Sequence, residues 1–241
     1  MGTNNFSRPR ALLAELVSPV CTRLEADSAS IRAFWLLLVL IVSVLLTAPF
    51  IITVRYYDEG IFLLGADRLL HGDRLYADFF EFLPPGSFLI TAGWLAMVGT
   101  SLWSVRCLAI LVIVGVSCLI YLTCRSVSKN AAASALIALA WLVCSLYQQG
   151  LLVQISHHWF TTLFSMISAR AVIARTEREQ PLLRGPLVAG LAAGAAAMVT
   201  QTQVVVAAAT AYMNLRRYRA ETAIFVLGCA IVPIGISSLL M

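Results

Sequence analysis

The sequence predicts an all-α fold: a polytopic membrane helical bundle of about seven membrane-embedded helices, with interfacial helices in the first extracytoplasmic loop. Composition is the first reason. Of 241 residues, 60% are hydrophobic and only 12% are charged, whereas about a quarter of the residues in a soluble domain are charged. Pattern is the second reason, because the apolar residues form runs of membrane-spanning length between short polar joints.

The first strong apolar run covers residues 31–54 and is long enough to cross about 30 Å of hydrocarbon. It begins far from Met1 and shows no small-residue cleavage pattern, so it predicts a retained signal anchor. Residues 1–31 are polar and mixed, and they are predicted to form a cytoplasmic N-terminal segment with one short amphipathic helix. Residues 32–241 then form the transmembrane module.

Later apolar runs predict further spans at residues 107–124, 131–147, 158–173 and 222–240. Two other stretches do not fit simple spans. Residues 85–99 are too short to cross a bilayer comfortably at about 1.5 Å per residue, and they predict an interfacial or re-entrant helix.

Residues 186–212 are slightly long for one span and contain a polar "TQTQ" at 200–203. They predict either a hairpin of two short helices or one long tilted helix. Gly190 and Gly194 in this stretch form a GxxxG pattern, which permits close contact between helices.

The polar joints predict the orientation. Those at 125–130, 174–185 and 214–219 are rich in basic residues, and the positive-inside rule places them in the cytoplasm together with the N-terminus. The loop 55–106 and the segment 148–157 lack this bias and are predicted to lie outside. The chain is therefore expected to be a multi-pass protein of the cell membrane.

The net charge of +5 does not predict a nucleic-acid partner. The basic residues form no stripe with interleaved aromatics, and topology explains their positions between the apolar runs. The six cysteines form no CxxC pattern, so neither a disulfide framework nor a zinc site is predicted.

The first loop carries half of the carboxylates. Residues 56–85 hold six of the twelve acids: Asp58, Glu59, Asp67, Asp73, Asp78 and Glu81. Carboxylates in a membrane protein are costly unless they reach water or serve a function. Asp58 follows the first span almost at once and opens a helix with one apolar face, and the residues alone leave two roles open. Asp58 is either a helix N-cap, or a general base or metal ligand fixed at the membrane surface.

A specific pattern follows this carboxylate pair: "ADRLLHGDRLYADF", then Pro84 and Pro85. The order resembles the first luminal loop of GT-C glycosyltransferases, in the branch of the protein O-mannosyltransferases and lipid A aminoarabinose transferases. The resemblance covers residues 32–241. It implies transfer of a sugar from a polyprenyl-phosphate donor to an extracytoplasmic glycan, lipid or protein, with Asp58 as the catalytic carboxylate and Glu59 beside it.

Such a transfer needs a base for the acceptor proton and positive charge for the departing phosphate. Arg55, Arg68, Arg74 and Arg106 are candidates for the second task, with Tyr57 next to the carboxylate pair. The alternative for each arginine is to neutralise acids of the same loop.

The second extracytoplasmic loop departs from the family pattern. Family members carry a further acid there, where this chain has His157 and His158. His158 is a candidate proton carrier, or a metal ligand together with Asp58, so a divalent metal ion stays open as a cofactor.

Polar groups at membrane depth persist only inside protein or along a wet cavity. The polar side chains of "TQTQ" are therefore predicted to face the donor phosphate, namely those of Thr200, Gln201 and Gln203.

GT-C enzymes continue beyond the part that this chain resembles, so truncation at the C-terminus is expected. The candidate partners are the lipid-linked sugar, membrane lipid and a second membrane chain. The alternative function is a non-catalytic module that binds a lipid-phosphate carrier or a partner membrane protein.

Overall fold

A computed structural model of the chain describes residues 28–49, 58–148, 155–178, 184–203, 205, 209 and 219–240. The α-helices in these ranges are α1 (Ala29–Thr47), α2 (Asp58–Leu70), α3 (Gly86–Val98), α4 (Leu102–Ser128), α5 (Ala131–Gln148), α6 (His157–Arg178), α7 (Arg184–Val199) and α8 (Arg219–Leu240). The predicted all-α class is confirmed. Within the described part of the chain, α1, α4 and most of α8 are long and apolar enough to cross a membrane, while α3, α5 and α7 are shorter apolar helices.

Each later run predicted as a span lies inside one helix: α4, α5, α6 or α8. Helix α4, with 27 residues, is the longest of the described helices, because polar residues extend it beyond the apolar run at both ends. The predicted first span, residues 31–54, continues past the end of α1 at Thr47. Its last part falls in residues 50–57. Those residues, like the N-terminal segment 1–27, lie outside the described ranges.

Helix α1 packs antiparallel to α4 through a narrow strip. The Tyr121 hydroxyl, near the end of α4, donates a hydrogen bond to the Arg32 carbonyl in the first turn of α1, at 2.9 Å. Only Val39, Ser43 and Thr47 of α1 are buried. Small side chains allow close helix approach, and the exposed apolar remainder of α1 matches a lipid-facing surface.

A tight polar turn joins α4 to α5. Lys129 caps α4 in the left-handed conformation, with φ of 56°. The Asn130 side-chain oxygen then accepts a hydrogen bond from the Ala133 N–H at 3.0 Å and caps α5. Because the turn is so short, α5 returns antiparallel to α4.

Helices α6 and α7 are also antiparallel. The Ser168 hydroxyl donates to the Ala189 carbonyl at 2.9 Å, and the hydroxyls of Thr161 and Thr200 lie 2.8 Å apart. The start of α6 therefore lies beside the end of α7.

Helices α7 and α8 run parallel, in contact through glycine. A Cβ on Gly190 would meet the Phe225 carbonyl, and a Cβ on Gly194 would lie 2.6 Å from the Cys229 carbonyl oxygen. The close contact predicted for GxxxG is confirmed. Parallel packing also places the end of α7 and the start of α8 at opposite ends of the pair.

Residues 186–212, for which the sequence left a hairpin and one long helix open, contain a helix break. Helix α7 ends at Val199, and Gln201–Gln203 form one turn of 3₁₀-helix. This break and the opposite positions of the two helix ends agree with a hairpin. The rest of this stretch, residues 204–212, falls largely outside the described residues.

Gly194→Ala is expected to destabilise the fold by about 1–3 kcal/mol, because the new methyl group meets backbone that cannot rotate away. Gly235→Ala in α8 is the matched control, since a Cβ there meets nothing within 4 Å. Alanine raises helix propensity by about 0.5–1 kcal/mol, so the control should be neutral or stabilising. Thermal unfolding in detergent measures both, and equal effects of the two substitutions would contradict this packing.

Helices α2 and α3 form a layer at one end of the bundle. The Phe62 and Phe88 rings, with centroids 5.2 Å apart, join them. At its first residue, Gly86, α3 touches the Met198 backbone at the end of α7. Farther along α3, the Trp94 indole donates to the Ser104 carbonyl in the first turn of α4 at 2.7 Å. Both ends of α3 thus meet the same end of the bundle, which agrees with the interfacial or re-entrant helix predicted from its length.

Candidate active site

Several helix ends meet at one end of the bundle, here called the loop end. Helices α2, α4 and α6 begin there, at Asp58, Leu102 and His157, and α7 finishes there at Val199. One continuous apolar core beneath them includes Phe62, Val105 and Phe160. The polar residues that the sequence predicts to bind or react with substrate therefore lie on top of a packed hydrophobic core.

A buried ion pair lies at the centre of this end. Arg106 donates from Nε to Glu59 Oε1 and from Nη2 to Glu59 Oε2, each at 2.9 Å. The Arg106 side chain is 3% exposed and that of Glu59 is 7% exposed. The Arg106 guanidinium also lies 5.7 Å from the centre of the Trp103 ring. A two-bond carboxylate–guanidinium pair has a fixed geometry, so it holds the first turn of α2 against the first turns of α4.

Asp58 is the first residue of α2 and directly precedes Glu59. The ion pair therefore fixes the backbone position of Asp58 relative to α4. The Asp58 side chain lies outside the described part of the structure, as do Arg55 and Tyr57. Their predicted catalytic and substrate-binding roles stay predictions.

Arg68 stabilises the loop that follows α2. Its Nε lies 2.6 Å from Asp73 Oδ2, its Nη2 donates to the Asp78 carbonyl at 3.2 Å, and its guanidinium stacks 4.4 Å from the centre of the Phe79 ring. The Arg74 N–H donates to Asp78 Oδ2 at 2.7 Å. These contacts give "ADRLLHGDRLYADF" a structural role in holding the loop. The predicted role of Arg68 and Arg74 in binding substrate is a separate proposal.

The loop then turns sharply and presents aromatic side chains. Tyr76 has a positive φ of 71°, and its hydroxyl donates to the Leu83 carbonyl at 2.6 Å. Phe80 and Phe82 between them are 80% and 71% exposed. Neighbouring exposed apolar rings of this kind mark a surface that contacts lipid or another protein.

Glu81, between those two rings, was not among the predicted site residues. Burial raises the pKa of its carboxyl above the ordinary value, and burial together with Glu81 raises the pKa of Tyr76. A carboxyl whose pKa is shifted by its surroundings is a candidate functional group. The signal in the sequence was an acid between two phenylalanines, three residues before Pro84.

The second predicted cluster lies at the start of α6 and the end of α7. His158 is exposed, and its backbone N–H donates to the Ser156 hydroxyl at 3.3 Å. Gln201 is exposed next to Thr200, which contacts Thr161 one turn beyond His158. The structure thus brings His158 and Gln201 to the loop end. The side chain of Gln203 is outside the described residues.

Metal binding by Asp58 and His158 also stays a prediction. Among the residues that the structure describes, no group of three or more His, Cys, Asp and Glu side chains is placed to hold a metal ion. The Asp58 carboxylate is not among those side chains.

The chain matches the family model described as dolichyl-phosphate-mannose-protein mannosyltransferase over residues 83–241, about two thirds of its length. Comparisons with curated proteins and with solved structures find no match. The matched region begins after Asp58 and Glu59 and includes helices α3–α8, with Arg106 among them. This agrees with the GT-C resemblance of the first loop, and the chain belongs to the dolichyl-phosphate-mannose-protein mannosyltransferase family of the GT-C superfamily.

Proposed function

We propose that the chain is a membrane glycosyltransferase module that moves a sugar from a polyprenyl-phosphate donor to an acceptor hydroxyl on the extracytoplasmic side. By the description of the family, the sugar is mannose and the carrier lipid is dolichol. The observation that carries the proposal is the buried Glu59–Arg106 pair, because it fixes the backbone of Asp58 where three helices begin.

The reaction is a single displacement in this proposal. The acceptor oxygen bonds to the anomeric carbon while the bond from that carbon to the phosphate oxygen breaks. The bonding electrons leave with the polyprenyl phosphate, and the Asp58 carboxylate takes the acceptor proton. The phosphate is a good leaving group without protonation, so one base suffices, and attack from the opposite face inverts the anomeric centre.

Glu59 serves in this scheme as a positioning residue, because both of its oxygens bind Arg106. The donor phosphate would lie near the N-terminal ends of α2, α4 and α6. Each helix N-terminus carries about half a positive charge, which favours an anion. Arg55 and Tyr57 are the proposed direct contacts, with Thr200, Gln201 and Gln203 on the other side.

His158 is proposed to orient the acceptor or to carry its proton, since it is exposed at the same end and imidazole changes charge near neutral pH. Glu81 is a further candidate for acceptor contact on the basis of its raised pKa. A divalent metal ion held by Asp58 and His158 stays a hypothesis within this scheme.

One observation favours the alternative of a non-catalytic module. Arg68, Arg74 and Arg106 each lie within 4 Å of a carboxylate oxygen of the same chain. Three of the cations suggested for the departing phosphate thus already have anionic partners. A module that binds a lipid-phosphate carrier for a partner chain would need less positive charge than one that stabilises a leaving phosphate.

Donor consumption separates the two functions. Membranes that contain the chain are incubated with dolichyl phosphate carrying radiolabelled mannose, and the label released from the organic phase is measured. The proposal expects label to leave the lipid and reach an acceptor. When labelled GDP-mannose replaces the lipid donor in washed membranes, no label should be transferred. Crosslinking of a photoreactive dolichyl phosphate without any release of sugar would favour the binding module instead.

A further inference from the structure

Two threonine hydroxyl groups meet at the loop end, between α6 and α7. The oxygens of Thr161 and Thr200 lie 2.8 Å apart, which is the ordinary separation for a hydrogen bond between two hydroxyls. Thr161 lies near the start of α6, and Thr200 directly follows the last residue of α7. The bond therefore joins the two halves of the cluster that contains His158 and Gln201.

This pair leaves one hydroxyl hydrogen over. Each threonine hydroxyl has one hydrogen to donate and two lone pairs that accept, so a bond between two hydroxyls uses one of the two hydrogens. A helical threonine can donate to a carbonyl of the preceding turn, as Thr162 does to the His158 carbonyl at 2.8 Å. Among the described residues, the Thr161 and Thr200 hydroxyls bond to each other and to no other group.

Burial decides which of the two hydrogens is left over. Thr161 is 5% exposed, whereas Thr200 is half-buried. If Thr200 donated to Thr161, the Thr161 hydrogen would stay buried without an acceptor, at the full cost of its desolvation. The opposite arrangement avoids this cost, because Thr161 then donates to Thr200 and the Thr200 hydrogen is left on the more exposed side. The Thr200 hydroxyl is thereby fixed as a donor.

A fixed donor at this place suits a ligand atom that accepts hydrogen bonds. The start of α6 and the end of α7 lie side by side, so their opposite partial charges largely offset each other. Binding there depends instead on side-chain donors: the Thr200 hydroxyl, and the exposed Gln201 amide and His158 imidazole. The oxygens of an ionised phosphate ester accept hydrogen bonds and form strong charge-assisted ones.

We propose that Thr161 is a positioning residue, which orients the Thr200 hydroxyl so that its hydrogen binds a phosphate oxygen of the polyprenyl-phosphate lipid. The identity of that lipid rests on the proposed function. Thr161 does not touch the ligand in this scheme, because its hydroxyl is buried and bonded to Thr200. Its effect on binding should therefore disappear when residue 200 has no hydroxyl.

Binding of dolichyl phosphate, which carries no sugar, tests this role apart from catalysis. The affinity of the purified chain in detergent is measured by native mass spectrometry, with dolichol as the ligand that lacks the phosphate. Thr200→Val should weaken binding of dolichyl phosphate about tenfold or more, as expected for a hydrogen bond to a charged group, and leave binding of dolichol unchanged. Thr161→Val should weaken it about threefold to tenfold, and Thr161→Ser, which keeps the hydroxyl, should bind like the wild type.

The double variant separates positioning from a structural role. Thr161→Val with Thr200→Val should bind dolichyl phosphate no more weakly than Thr200→Val alone, because coupled residues are not additive. Thr162→Val is the matched control, since the Thr162 hydroxyl donates within α6, and it should leave binding unchanged. Thermal unfolding checks that each variant is folded, and Thr161→Ala gives the same comparison if the valine variant is not.

The positioning role is excluded if Thr161→Val binds dolichyl phosphate as tightly as the wild type, since the Thr200 hydrogen would then be directed towards Thr161. It is also excluded if the effects of the two valine substitutions add, or if the wild type binds dolichyl phosphate no better than dolichol. Sugar release is a separate measurement. A chain that shows the expected binding but releases no mannose contradicts the proposed transferase and leaves the role of Thr161 intact.

Discussion

Asp58→Asn is expected to lower the rate of sugar transfer about 100-fold or more while the protein remains folded. A general base contributes about 100- to 10,000-fold to a rate, and an amide cannot take the acceptor proton. Asparagine keeps the shape of aspartate and caps a helix about equally well. The start of α2 at residue 58 should therefore be preserved. Label transfer from dolichyl-phosphate-mannose, measured beside thermal unfolding, reports both properties.

Asp67→Asn is the matched control for this substitution. Asp67 lies on the same helix, and its side chain is 34% exposed beside His71 at 3.6 Å. The control should keep activity within about threefold of wild type, far below the contribution of a general base. If Asp58→Asn also stays within about threefold, Asp58 is neither the base nor an essential metal ligand. A large loss in both variants would indicate a general need for negative charge in the loop.

Glu59→Gln is expected to destabilise the fold by about 3–5 kcal/mol, which is the usual cost of removing one partner of a buried ion pair. The reason is that Arg106 stays buried at 3% exposure with its charge no longer neutralised. Arg106→Gln should have a similar effect, because it leaves the Glu59 carboxylate buried without its cation. Equilibrium unfolding in mixed micelles measures the change for each variant.

The double variant separates the ion pair from other effects of the two substitutions. Glu59→Gln with Arg106→Gln removes both charges, and two amides can still share a hydrogen bond. We expect it to be more stable than the sum of the single effects by more than about 1 kcal/mol, within the range for contacting residues. Strict additivity would contradict direct coupling.

The exposed pair of Arg68 and Asp73 provides the comparison for that cycle. Its side chains are 37% and 39% exposed, so water already solvates both charges. The ion pair itself should contribute only about 0–1 kcal/mol, as measured by substituting Asp73, while substituting Arg68 also removes its contacts with Asp78 and Phe79. A loss at Arg68 as large as that at Arg106 would show that the loop after α2 contributes far more to stability than its exposure indicates.

The sequence alone determined the helices and the family. In hydrocarbon, every backbone polar group must find its partner within the helix, so the length of an apolar run predicts a span directly. This is why α4, α5, α6 and α8 contain their predicted spans, and why the break after α7 could be located from four polar residues. The close helix contact at Gly190 and Gly194 could also be predicted, because only glycine permits the backbone contact that they make with α8.

The tertiary structure decided which of the polar residues meet. Glu59 was expected to act beside Asp58, and the fold pairs it with Arg106, 47 positions farther along the chain. At the end of the bundle opposite the loop end, one cavity is lined by Arg32, Arg125, Lys129 and Arg170. They come from α1, from the end of α4 with its cap, and from α6, and no local pattern links them. Hydropathy fixes how far each helix extends along the membrane normal, whereas the rotation and neighbours of each helix follow from side-chain packing between segments distant in sequence. Charges on those segments therefore acquire their partners only when the bundle is assembled.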